Sequence, residues 1–248
     1  MASNNESNTT RIVCISDTHS RYQFELPPGD ILVHAGDFSL DGRQTEIEEF
    51  LKYLKGLTQY RLKIFIAGNH DLTLEPKFYE ETWKRWHFRG KQDYELIGRL
   101  IRDPSLATEH GIIYLEQQEF IDPQTGLKFF GSPYQPEFCD WAFNLPANSP
   151  AIKQVWSKIP DDVDVLITHG PPANILDKTY TNEHVGCAQL LARVQKIKPK
   201  LHVFGHIHEA YGREEHDSTI FVNASTCNLR YKPSQPPIVV ELAVKGTK

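Results

Sequence analysis

The sequence predicts an α/β fold in which two mixed β-sheets pack face to face and carry helices on their outer sides. Three observations lead there. Short runs rich in Ile, Val, Leu and Phe alternate with longer amphipathic stretches. The first half reads strand–helix–strand, a pattern that requires parallel strands joined by crossover helices. The second half has many short strands and few helices, which points to two packed sheets rather than one.

Residues 11–16, 31–35 and 62–67 each read as a buried strand. Between the second and third, Ile47, Phe50, Leu51 and Leu54 recur at helical spacing, and Gly56 marks the helix end, so a helix is expected over 45–57. Short helices follow over 76–86 and 93–101. Residues 112–115, 119–121 and 127–131 are short strands, and Asp122, Pro123 and Gly126 supply a turn between the last two. A buried strand over 163–168 and an amphipathic helix over 183–197, stopped near Pro199, come next. Strands over 201–204, 219–223 and 238–242 complete the set. One domain is expected over 11–248, preceded by a polar, disordered tail over 1–10.

The chain has 248 residues, 40% apolar and 24% charged, with a formal net charge of −5. These values suit a soluble globular protein. No apolar stretch is long enough to span a membrane, and the polar N-terminus has no signal-peptide core. No run of Lys or Arg could track a nucleic-acid backbone, which weighs against nucleic acid as a partner. Cys14, Cys139, Cys187 and Cys227 are widely spaced with no CxxC pair, so they read as core residues in a reducing, cytoplasmic setting. Oligomeric state is not legible.

The chemically informative residues stand just past the ends of predicted strands. Asp17 and His19 follow the first, Asp37 the second, and Asn69, His70 and Asp71 the third; His169, then His206 and His208, follow two later ones. Ligands of open α/β sheets bind outside the carboxyl ends of strands. Five segments therefore bring Asp, Asn and His to one edge. Carboxylate and imidazole donors without Cys suit Mn, Fe, Zn or Co. Asp17 and His19 are two residues apart, as are His206 and His208, so each pair points one way in extended chain. Gly36, Gly68, Gly170 and Gly205 let the backbone turn where a side chain would crowd the ions.

Asp17-x-His19, Gly36-Asp37, the run Gly68, Asn69, His70 and Asp71, then His169 and Gly205-His206-x-His208 resemble the signature of the calcineurin-like metallophosphoesterase superfamily. Gly131-Ser132-Pro133, the stretch Trp141 to Pro146, Thr168 to Pro172 and Asn223 to Cys227 resemble one branch, the small metallophosphoesterase-domain proteins that include brain-expressed animal forms. The likeness spans about residues 11–241. Some animal members of the branch carry Gly where this chain has His206, so the ligand set here is full.

The resemblance implies a metallophosphoesterase αββα sandwich holding two divalent metal ions, Mn placed first and Fe, Zn, Co or Mg as alternatives. Asp17, His19, Asp37 and His208 would hold one ion; Asp37, Asn69, His169 and His206 the other, with Asp37 bridging. A water or hydroxide activated by both ions would attack phosphorus. His70 would assist the leaving group and Asp71 would orient the His70 ring. The substrate implied is a small-molecule phosphate ester, most readily a phosphodiester such as a cyclic nucleotide. The rival readings are a phosphomonoesterase or nuclease of the same fold, and a non-catalytic metal-binding scaffold.

The remaining features divide between packing and function. His34 and His202 lie inside strands and read as hydrogen-bonded core residues, whereas His87, His110 and His216 read as surface residues. His184 opens the 183–197 helix and is a candidate for the site. Trp83, Trp86 and Phe88 read as a satellite core under a long loop, with a substrate lid as the alternative. Tyr134, Phe138, Trp141 and Phe143 follow a strand end among prolines; Tyr134, Trp141, Phe143 and His184 are the candidates for the substrate pocket.

Overall fold

A computed structural model describes residues 9–244, and most of the tail expected over 1–10 lies outside them. The first sheet has the order β13-β1-β2-β3-β4. Strands β1 (Thr9–Ile15), β2 (Ile31–His34), β3 (Leu62–Phe65) and β4 (Ile112–Tyr114) run parallel, and β13 (Ile238–Ala243) closes one edge antiparallel to β1. The second sheet has the order β11-β12-β10-β9-β6-β5. Its parallel centre is β6 (Lys128–Ser132), β9 (Val165–Thr168), β10 (Leu201–Phe204) and β12 (Thr219–Asn223). Its antiparallel edges are β5 (Gln118–Ile121) and β11 (Gly212–His216). A two-residue pair, β7 (Gln135–Pro136) and β8 (Asn144–Leu145), brackets a loop.

The period-two pattern of the strands divides the apolar residues among three layers. Ile12, Cys14, Val33 and Ile64 of the first sheet meet Phe129, Val165, Ile167 and Val203 of the second in the central core. The outward residues Val13, Ile15, Leu32 and Phe65 pack under helices α1 (Gln44–Gly56) and α3 (Tyr94–Ile101). Phe130, Leu166, Phe204 and Phe221 pack under α5 (Pro150–Ser157) and α6 (Ala188–Ile197). Phe38 stacks on Phe50 of α1 with centroids 4.1 Å apart, which pins the chain just after Asp37. The α/β sandwich expected from the sequence is therefore the fold of the molecule.

Helix α2 (Pro76–Trp86) has the expected bounds. Two helices were not expected, α4 (Pro104–His110) and α5. Each is too short for a visible period, yet each starts with Pro after a capping Asp103 or Ser149 whose side chain accepts a backbone N–H. The largest correction concerns the segment before α6. The helix begins at Ala188, not at residue 183. Asp177 captures the preceding stretch by accepting from the backbone N–H groups of Asn174 and Gly186 and from His184 Nδ1, and residues around Pro172 and Cys187 form a bridge. Thr9 and Thr10 open β1, two residues earlier than expected.

Because β1, β2, β3, β9 and β10 are all parallel within their sheets, their carboxyl ends come to one edge of the sandwich. A bridge between Ser16 and Ser225 and the bond from Thr226 N–H to Ser16 O (2.7 Å) tie the two sheets together there.

Candidate metal centre

The loops leaving these strands are sharply bent. Asp17, His19, Asp37 and His206 all have left-handed backbone, with φ of 50°, 43°, 57° and 68°. Such strain in non-Gly residues is held only where surroundings dictate it, and it gathers at functional sites. Here backbone bonds from Asp17 N–H to Gly36 O (2.9 Å) and from His19 N–H to Asp37 O (3.0 Å) lock the β1 and β2 loops together. The close approach also explains two glycines. A Cβ on Gly68 would sit 2.3 Å from Asp37 Oδ1, and one on Gly205 would sit 2.0 Å from Asp17 Oδ2.

The side chains converge. His208 Nε2 lies 3.2 Å from Asp17 Oδ1 and 3.4 Å from His19 Nε2. His169 Nε2 lies 3.0 Å from Asn69 Oδ1 and 3.4 Å from Asp37 Oδ2. Asp37 Oδ2 also lies 3.9 Å from His19 Nε2, so this carboxylate stands between the two groups. Asp17, His19 and His208 form one trio of donor atoms mutually within 4.8 Å, and Asp17, Asp37 and His169 form another. Neighbouring ligands of one ion, at bond lengths of about 2.0–2.2 Å, are separated by roughly 3–3.5 Å.

The opposite ring nitrogens show what the cluster suits. Nδ1 of His19 faces the Ser39 carbonyl at 3.3 Å, Nδ1 of His169 the Ala35 carbonyl at 2.9 Å, and Nδ1 of His208 the Asn228 carbonyl at 3.2 Å. Each Nδ1–H donates to a carbonyl, so each Nε2 is the atom aimed inward and, once free of a proton, offers its lone pair there. Gln135 Nε2 donates to Asn69 Oδ1 (3.2 Å) and so fixes the Asn69 amide with its oxygen toward His169. Lone pairs of rings and carboxylates packed this closely repel unless protons or cations lie among them. Burial pushes His19 and His206 down to about 3, so these rings are neutral, the form a metal would need. Burial opposes the charged form of His169 too, but Asp37 and Asp17 outweigh it and raise that ring to about 9. Asp37 itself is held well below the carboxylate range against its burial, chiefly by His169 and His70. The donor set fits a divalent metal centre.

His206 belongs to none of these groups of donor atoms and meets the cluster through its backbone and the edge of its ring. Its N–H donates to both oxygens of Asp17 (3.1 and 3.0 Å), and its ring stands edge-on to His169 at 5.1 Å. Ser225 Oγ donates to Asp17 Oδ2 (2.9 Å). His70 donates its backbone N–H to Asp37 Oδ1 (2.8 Å), lies edge-on to His19 at 4.5 Å, and is within ligand reach of His19 and Asp37.

The orienting role expected for Asp71 is wrong. His70 Nδ1 is 2.7 Å from the Leu40 carbonyl, and that carbonyl holds the ring. The Asp71 side chain points the other way in the tight turn closed by its own N–H on Gly68 O. It accepts from the N–H groups of Gly68 (2.8 Å), Asp37 (3.0 Å) and Ser39 (3.0 Å) and from Ser39 Oγ (2.6 Å). Burial, aided by Asp37, raises its carboxyl to about 8. Asp71→Ala leaves these buried donors without an acceptor, each costing about 1–3 kcal/mol. Thermal unfolding should show a loss of at least about 3 kcal/mol, and an unchanged midpoint would refute Asp71 as the knot of these loops.

The substrate-pocket candidates separate. Trp141 stacks on His70, with centroids 4.0 Å apart and planes 26° apart. Phe143 is a core residue, 1% exposed, with Tyr134 packed edge-on to it at 5.7 Å, so Phe143 does not line a pocket. His184 is bound to Asp177 (2.6 Å) and belongs to neither donor trio. His34 and His202 are buried and bonded to Thr18 and Thr168, as expected. His87 is not on the surface: it is 2% exposed and 2.6 Å from the Tyr79 hydroxyl. Phe138, edge-on to His206 at 5.2 Å, and Tyr231, edge-on to His19 at 4.7 Å, flank the donors. Nothing in the sequence pattern marked Tyr231, because it comes from a turn after the last loop of the second sheet.

A two-sheet α/β sandwich with Asp, Asn and His donors gathered beyond its parallel strands defines a metal-dependent phosphoesterase. The calcineurin-like phosphoesterase family model matches residues 10–210, and the chain belongs to that family. It is 42% identical over 243 residues to metallophosphoesterase domain-containing protein 1 of Homo sapiens and, equally, of Mus musculus, an alignment covering 94% of this chain and 71% of each relative. A solved structure described as GAP50, the anchor in the inner membrane complex of Plasmodium, shares the fold at 13% identity, with a TM-score of 0.51 over 95% of this chain and 81% of that one. Among the described residues no helix is long and apolar enough to cross a membrane.

Proposed function

We propose that the chain hydrolyses small phosphodiesters, cyclic nucleotides among them, at a centre of two divalent ions with Asp37 between them. The observation that carries this reading is the position of Asp37 Oδ2, 3.4 Å from His169 Nε2 on one side and 3.9 Å from His19 Nε2 on the other. Asp17, His19, Asp37 and His208 would hold one ion, and Asp37, Asn69, His169 and His206 the other. Mn is the first choice, with Fe, Zn, Co and Mg as alternatives. When bound, such a pair supplies electrophilic charge for the phosphate oxygens and lowers the pKa of water.

The protein's own groups do the rest. His70 is anchored at Nδ1 by the Leu40 carbonyl, and in its imidazolium form the free Nε2 carries the proton that passes to the leaving oxygen, returning the ring to neutral. Exposed apolar side chains border the donors: Phe138 beside His206, Tyr231 beside His19, and Leu40, whose carbonyl binds His70. Such a rim favours an ester with flat or apolar groups over a bare phosphate. Four unbridged thiols support a reducing, cytoplasmic compartment.

The test is a panel of cyclic nucleotides, dinucleotides, nitrophenyl diesters and phosphomonoesters, assayed with each of the five metals. Diesters should turn over fastest. Faster turnover of monoesters would overturn the diester reading, and no turnover with any metal would leave a scaffold.

Protons compete with metal for the same nitrogens. A ring raised to about 9 is protonated at neutral pH, so metal binding to the chelated protein must expel that proton from His169. Metal affinity should therefore rise with pH up to about 9, beyond the ordinary histidine value of about 6.5. Calorimetric titration in buffers of different ionisation enthalpy should register proton release at pH 7.5. No release at that pH would contradict it.

A further inference from the structure

We infer that Trp86, on the last turn of α2, is a positioning residue for His70 and acts on it through Trp141. The inference rests on the reading of His70 as the group that assists the leaving oxygen. His70 has one ring hydrogen bond, to the Leu40 carbonyl, and a ring held at one atom can still pivot about that bond. The flat stack on Trp141 fixes its plane.

Trp141 in turn sits on the loop between β7 and β8, where Cys139 and Phe143 have left-handed backbone. Helix α2 splints that loop at both of its ends. At its start, the Glu75 carboxylate accepts the Phe143 N–H; at its end, Arg85 pairs with Asp140, the residue before Trp141. Between those clamps the Trp86 ring lies 4.2 Å from the Trp141 ring, and the Arg85 guanidinium lies 4.9 Å over Trp86. Arg85, Trp86, Trp141 and His70 thus form a continuous run of ring contacts, tilted by 43° between the two indoles and stacked at His70. The Trp86 indole N–H is buried without a partner, an unfavourable arrangement that plain core packing would avoid with Phe or Leu. The segment that carries Trp86 thereby gains a catalytic purpose without touching substrate.

The experiment is a double-mutant cycle on the Mn-reconstituted protein, with bis(4-nitrophenyl) phosphate and a 3′,5′-cyclic nucleotide as the two substrates. The nitrophenolate leaves unaided, whereas the ribose alkoxide needs a proton. Trp86→Ala should lower kcat on the cyclic nucleotide by about 10- to 100-fold, the cost of a misplaced group. KM and metal content should stay constant, the nitrophenyl ester should lose less than threefold, and Trp86→Phe should recover most of the rate.

In a His70→Ala background, Trp86→Ala should add nothing further. Additive losses, or equal losses on both esters where His70→Ala itself discriminates between them, would overturn the inference. Should Trp86→Ala fail to fold, Trp86→Leu, which keeps the bulk and removes the flat ring, carries the same expectations. If His70→Ala shows no leaving-group dependence, the reading of His70 fails; coupling between the two positions would still support positioning, and its absence would overturn it.

Discussion

Replacing Asp37 by Ala should abolish turnover and empty the metal centre, the largest effect of any single substitution in this protein. One oxygen of Asp37 lies 3.9 Å from His19 Nε2 and 3.4 Å from His169 Nε2, so its removal loosens both proposed ion sites at once. Its Oδ1 also accepts the His70 backbone N–H, so the variant frees the loop that carries the proton donor. The loss in kcat/KM should exceed the roughly 10²–10⁴-fold worth of one acid–base group. Elemental analysis should fall from two metals per chain to fewer than one. Asp37→Asn keeps the shape and an acceptor but not the charge, and should lie between Ala and the native protein. Activity that survives Asp37→Ala, or a native stoichiometry of one with full activity, would rule out the shared carboxylate.

His70→Ala should separate chemistry from metal binding. His70 lies within ligand reach of His19 and Asp37, so geometry alone permits a third ligand role. Its Nδ1 is committed to Leu40 and its ring to the Trp141 stack, which suits a fixed donor at the edge of the centre. Metal content should stay near native while turnover falls by about 10²–10⁴-fold on an ester with an alkyl leaving group. A nitrophenyl ester should lose far less. His206→Gly should give the opposite pattern, lowering occupancy of one ion and slowing both esters alike. Loss of metal in His70→Ala would make His70 a ligand and refute its role as proton donor; equal losses on both esters would reduce it to an electrostatic one.

These expectations were legible in the sequence to different depths. The strand-end positions of Asp17, Asp37, Asn69, His169 and His206 follow from local pattern, because a buried parallel strand is a short apolar run and its end is visible where the run stops. The three-layer core follows from the same alternation, as Ile12 and Cys14 face one way and Val13 and Ile15 the other. Pattern was weakest where no period could build up. Helices α4 and α5 have seven and eight residues. Residues 183–187 are held out of the helix by Asp177, a contact made across a loop.

What the sequence by itself determined is the fold, the family and the set of candidate donors: residue type and strand-end position are local properties, and they survive in one dimension. What only the tertiary structure decided is which way each side chain turns and what holds it. Asp71 follows His70 directly, yet it serves the Gly68, Asp37 and Ser39 backbone while a carbonyl thirty residues away orients His70. Trp141 and Phe143 are two residues apart, yet one stacks on the site and the other lies in the core. His87 is polar and follows a helix, yet Tyr79 holds it inside. Tyr231 reaches the donors from the far end of the chain. The reason is common to all four. A hydrogen bond or a ring contact reaches about 3–6 Å in space whatever the separation along the chain, and only closure of the two sheets brings such partners within that range.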